Sequence, residues 1–269
     1  MMDETTVLAV LQGGLALYCV LTGLQALSDF DRYTDGGVLG VDIAKLQFRK
    51  GYQRELFETA FANQRFRYVL YIHVLAGFFL GVQGINGSVS PVGLAVVLGT
   101  TVLVGIRHHA GLNGTYHVSL VVVLGLLWAS TTTAEVAVQL AIAAIAVQVV
   151  LAYTVSGWLK LPTEEWRNGQ TLRDLADAEI WVSERAASII NRHPAIAKPL
   201  CWGVLAFECL FVLVLVAPEE IAVALLGAAA VFHAVNALAM GFNTFLVIFP
   251  ATYPAIYYTN RLVYATFGF

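Results

Sequence analysis

From Glu135 to Leu159 the chain runs 25 residues that are almost wholly apolar, and Lys160 closes the run. A helix rises about 1.5 Å per residue, so such a segment exceeds the roughly 30 Å hydrocarbon core of a bilayer. Seven apolar runs in all are long enough to be read as spans: 6–28, 67–86, 91–106, 116–131, 134–158, 199–216 and 219–249. The third and fourth are short, and the last is expected to tilt or break near Pro250. Composition argues against a soluble domain. Of the 269 residues 58% are hydrophobic and only 12% charged, where roughly 25% charge is usual. The expected fold is all-α, a polytopic transmembrane helix bundle of about seven spans with interfacial amphipathic helices. With no internal repeat, low-complexity tract or second domain visible, 1–269 reads as a single integral membrane domain.

The basic residues set an expected orientation. With seven spans, all 15 Lys and Arg fall on one side, in 29–67, at Arg107, in 159–198 and at Arg261. The positive-inside rule then puts the N-terminus outside and the C-terminus in the cytoplasm of a multi-pass cell-membrane protein. The acidic start has no basic n-region, so a cleaved signal peptide is not expected. The tail 253–269 is aromatic and suited to the interface. A net charge of −3 gives no argument for nucleic acid. Cys19, Cys201 and Cys209 read as small buried hydrophobes without metal-ligand spacing.

Two segments are too polar to span. Residues 41–66 and 170–192 place apolar side chains at helical intervals among charged ones, as amphipathic helices on the inner membrane surface do.

Ionisable groups inside spans are costly, and they are functional candidates for that reason. Counted from the helix edges, His73 lies about 9 Å deep, Glu208 about 13 Å and His233 about 21 Å from the outer end. His117 and Lys160 sit at the inner edge, and Gln148 in the inner half. Asn236, Met240 and Asn243 follow His233 on one helical face. The expectation is a polar pocket in the inner leaflet. Each member has a bland reading. Lys160 snorkels to water, His73 is a hydrogen-bonded core histidine, Glu208 partners a histidine or Lys160, and the adjacent His108 and His109 are solvated on a Gly-rich loop rather than bound to metal.

The string Tyr153-x-x-Ser156-Gly157-x-x-Lys160-Leu161-x4-Trp166-x-x-Gly169 resembles the membrane domain of vitamin K-dependent γ-carboxylases and their prokaryotic relatives, the HTTM domain. Glu208 followed by Phe232-His233-x-x-Asn236 and Met240-Gly241-x-x-x-Phe245 is similar to a second element of that family. A third match is Asn113-Gly-Thr-Tyr116-His117. The resemblance covers roughly 65–250. It implies a small prokaryotic member in which Lys160 is a general base that takes a proton from a reduced quinone. That substrate would be reduced vitamin K or menaquinol, used with O2 and CO2 and without a metal. It implies catalytic roles for Lys160, His117, His233 and Glu208, with a histidine stabilising an oxyanion. The quinol pocket would be lined by His73, Trp158, Trp166, Asn236 and Asn243. An amine at an apolar lip has its charged form disfavoured, as a general base requires. The animal carboxylases carry a large soluble portion and act on the lumenal side, whereas the charge bias puts Lys160 at the cytoplasm.

The leading expectation is thus quinol- and O2-dependent carboxylase- or epoxidase-like chemistry in the bilayer. The alternative is a non-catalytic accessory membrane subunit that helps mature or export a peptide, with a partner membrane protein. Co-purification of a partner, with Lys160 dispensable, separates the two.

Overall fold

The computed structural model describes residues 2–34, 36–49, 51–108, 114–178 and 182–267. Among the described residues all regular structure is helical. Contacts divide the chain into two compact units, one of Leu8–Ala141 and one of Met1–Val7 with Ile142–Phe269. The long helices are α1 Glu4–Ser28, then, after α2 Val41–Ala44 and α3 Tyr52–Ala60, α4 Asn63–Ile85, α5 Pro91–Arg107, α6 Gly114–Ser130 and α7 Glu135–Lys160. Three short helices follow, α8 Glu164–Asn168, α9 Gln170–Asp177 and α10 Glu184–Arg192, and then α11 Ala197–Leu210, α12 Glu219–Met240 and α13 Phe245–Phe267. Among the described residues five segments are long and apolar enough to cross a membrane: α1, α4, α7, Pro194–Leu215 around α11, and α12. The helices α5 and α6 are apolar but only 17 residues each.

In the first unit α4 packs on α5, and α5 on α6. Pro91 opens α5, where the missing N–H costs nothing, and the Ser90 hydroxyl accepts from Gly93 N at 3.2 Å. The region 41–66 is not one amphipathic helix. Short turns break it, and Phe57, Phe61 and Phe66 turn inward while Tyr52 stays exposed. Phe57 and Phe61 bury with Phe30, Tyr33, Phe66 and Leu70 in one cluster.

In the second unit α12 and α13 form an antiparallel hairpin. Two acids, Glu219 and Glu220, complement the start of α12. The helix ends at Gly241, whose φ of 70° only glycine adopts readily. The last apolar run therefore breaks at 241–244 and not at Pro250, which lies inside α13 with Pro254.

The described part of the tail, expected at the interface, packs within its unit. Tyr258, Thr259 and Asn260 are buried, and the Asn260 amide donates to the carbonyls of Val214 at 3.0 Å and Ala217 at 2.9 Å. At the same end Tyr257 donates to Glu219, and Tyr258 to Glu4 at 2.7 Å. Arg261 also pairs there with Glu219 at 3.4 Å. The opposite end of α12 meets the α9–α10 segment, where Ser183 N donates to Ala239 O at 2.7 Å. Arg261 thus stands at the other end of the unit from the 159–198 basic group. The even helical hairpin removes the one-sided arrangement of all 15 charges expected from seven spans.

Candidate functional site

The face of α7 that carries Tyr153, Gly157 and Lys160 has steps of four and three residues, which align on a helix. Gly157 lets α11 approach closely, because a Cβ there would stand 2.7 Å from Cys209 N and 2.8 Å from Glu208 Cβ. That contact brings Lys160 onto Glu208. Lys160 Nζ donates to both carboxylate oxygens at 2.6 Å. The Ser156 hydroxyl donates more weakly to the same carboxylate at 3.4 Å. Glu208 is 5% exposed and Lys160 24%, so the acid is sealed in while the amine keeps an edge to the surroundings. The Trp166 ring covers the amine from 4.8 Å. Gly169 ends α8 at φ 83° and packs against the start of α11, while Trp202 donates from its indole to Arg167 O at 3.0 Å. The turn after Lys160 is thereby fixed to the helix that supplies Glu208.

Two turns before Lys160, about 10 Å along the helix, Tyr153 hydrogen-bonds His233 Nε2. The His233 ring stacks on Phe249 at 4.3 Å, and Tyr153 packs on Phe211 at 4.2 Å. His233 is 1% exposed, and its Nδ1 has no hydrogen-bond partner among the described residues. A buried nitrogen without a partner is costly and marks a place where a polar ligand atom or water would be welcomed. Tyr153 heads the Lys160 string but was not a candidate from the sequence. Its seven-residue spacing to Lys160 is the signal that could have found it.

His117 is exposed on the first turns of α6, in the other unit, with its ring edge-on to Tyr116. His73 is a core histidine, since Nδ1 meets the Thr100 hydroxyl at 2.9 Å and Nε2 the Thr22 hydroxyl at 3.4 Å. Each threonine gives its own proton to a backbone carbonyl, Thr100 to Val96 at 3.0 Å and Thr22 to Tyr18 at 2.8 Å. Trp158 is 60% exposed and turned outward. Asn236 is half-buried, and Asn243 is exposed in the turn between α12 and α13. His108 is not solvated as expected. It hydrogen-bonds Tyr33 and stacks on that ring at 5.2 Å. Burial, with help from the Arg107 charge, pushes its pKa down to about 4. His109 and Asn113 lie outside the described residues.

Comparison with protein-family models, with curated proteins and with solved structures finds no match to the chain.

Proposed function

We propose that this is a membrane-embedded enzyme in which Lys160 and Glu208 move a proton to and from a lipid-soluble quinol, as in the carboxylase-like family that the Lys160 string resembles. The observation that carries the reading is the Lys160–Glu208 pair, closed at 2.6 Å with the acid buried and the amine partly open. Taking two charges out of water is expensive, and a purely structural site would be served as well by apolar packing. A pair that can also exist as neutral amine and neutral acid is suited to passing a proton. Glu208 takes the ammonium proton, the free Nζ accepts one from a substrate hydroxyl and releases it at its open edge, and Glu208 then returns its own proton to Nζ. The reduced quinone with O2 would supply the oxidative chemistry. The groups present fit such a ring, since the amine lies under Trp166 and the wall two turns deeper is aromatic, with His233 Nδ1 unpartnered. By the positive-inside rule the end with Lys160, Arg167 and Arg173 faces the cytoplasm. The end with Glu4, Glu219 and Arg261 would face out.

The test is oxygen consumption and product formation by the purified protein with menaquinol, with and without bicarbonate. General-base catalysis contributes about 10²–10⁴-fold, so Lys160→Ala and Glu208→Gln should each lose at least a hundredfold. Equal rates for wild type and both variants would remove the proposal.

A further inference from the structure

The first unit holds a second buried charge that the proposed chemistry does not use. Arg107 ends α5 and is 1% exposed. Its Nη2 donates to the Tyr33 carbonyl at 3.4 Å, and the guanidinium lies 5.4 Å from the Phe66 ring centre and 5.7 Å from that of Tyr33. The Nε and Nη1 donors have no partner, and no carboxylate lies within ion-pair distance, among the described residues. Arginine has five N–H donors and stays charged, so a buried one without an anion is unusual.

Arg107 and His108 line a pocket of about 280 Å³ together with Val38, Leu39, Ile43, Ala44 and Gln47. Val38 is 69% and Ile43 51% exposed, which places them at the mouth. A compact turn sets that wall, with Gly37 N donating to Thr34 O at 2.9 Å and Leu39 N to Arg32 O at 2.8 Å. The pocket is larger than a single oxyanion needs. It joins one cationic end to an apolar rim, which is the shape of a lipid headgroup site at the edge of a bundle.

The geometry points to an anion site in which the Arg107 guanidinium, unpartnered at Nε and Nη1 among the described residues, attracts a phosphate-type oxyanion, with Val38, Leu39 and Ile43 against the apolar part of the molecule that carries it. One guanidinium suits a monoanion such as a phosphodiester headgroup. Inorganic phosphate shares the chemistry but not the apolar part.

The full chain in nanodiscs of uncharged phosphatidylcholine would be supplied with phosphatidylglycerol, and retained lipid read by native mass spectrometry. Wild type should retain phosphatidylglycerol at least tenfold over phosphatidylcholine. Arg107→Gln should abolish the preference. Because that variant could misfold, Ile43→Glu, at the exposed mouth, places a repelling charge without touching the guanidinium, and should cut retention at least tenfold with the melting temperature unchanged. Displacement of the lipid by millimolar inorganic phosphate would assign the site to the free oxyanion. Retention that is the same for both lipids, or unmoved by both variants, would overturn the proposal.

Discussion

Removing the two members of the Lys160–Glu208 pair should cost very different amounts. At 2.6 Å two unit charges attract by roughly 6 kcal/mol at an effective dielectric of about 20. Desolvation of the two ions offsets most of this, at several kcal/mol per ion. The net value of the intact pair is therefore small, and the cost of a single deletion is set by the charge left behind. Lys160→Met strands Glu208, which is 5% exposed, and should cost about 3–5 kcal/mol. Glu208→Gln strands Lys160, which is 24% exposed and can carry its ammonium outward along a flexible stem. It should cost about 1–2 kcal/mol, discounted for that screening. The double variant Lys160→Met, Glu208→Gln should lie within about 1 kcal/mol of wild type, which gives a coupling energy of at least about 3 kcal/mol. Reversible unfolding in mixed micelles, with denaturing detergent titrated in, measures all four corners of the cycle. Single costs that add to within about 0.5 kcal/mol in the double variant would refute the reasoning. So would a Glu208→Gln cost that exceeds that of Lys160→Met.

Three further outcomes follow from the same unit and one from the other. Gly157→Val drives a side chain into Cys209 N and Glu208 Cβ; overpacking of this kind costs about 1–3 kcal/mol, and melting together with a weakened Lys160–Glu208 coupling will show it. Tyr153→Phe leaves both His233 nitrogens without a partner; the expected loss is about 1–3 kcal/mol, with a change in the His233 ring ¹⁵N shifts that Tyr153→Gln partly restores. Asn260→Leu removes two hydrogen bonds to buried carbonyls and should cost about 1–3 kcal/mol, whereas a tail lying loosely at the interface would lose nothing. Thr100→Val removes the His73 Nδ1 partner; stability should fall by about 1–2 kcal/mol with quinol turnover unchanged, and a large loss of turnover at full occupancy would return His73 to the active groups.

The long apolar helices were legible because their signal is local. A run read at 134–158 is a helix at 135–160, and one read at 67–86 is a helix at 63–85. The last helix was not legible, because what holds it is not local. Two prolines, four tyrosines, Asn260 and Arg261 lower its apolar signal. The groups that offset this polarity belong to other elements: the carbonyls of Val214 and Ala217, the carboxylate of Glu219 and the carboxylate of Glu4. A count of charges by loop inherits the same blindness, and one unrecognised return helix was enough to carry Arg261 to the other end of its unit.

The site divides along the same line. Depth counting placed Lys160, Glu208 and His233 in the inner half, and for the first two that sufficed, because a long flexible amine finds a carboxylate deeper in the bundle. Depth says nothing about the direction a side chain takes around its helix. His233 turns to Tyr153 and Phe249 rather than to Lys160, and the face of α7 that joins the two pairs is set by Gly157 against α11. Arg107 and His108 show the converse error. A basic pair at the edge of a Gly-rich loop reads as wet. Yet Tyr33 and Phe66, 75 and 42 residues before His108, cover its ring and the Arg107 guanidinium. Both features come from side chains distant in sequence closing over a polar group. Such groups carry the strongest functional argument in the fold, since each buried polar atom without a partner costs stability that apolar packing would have spared.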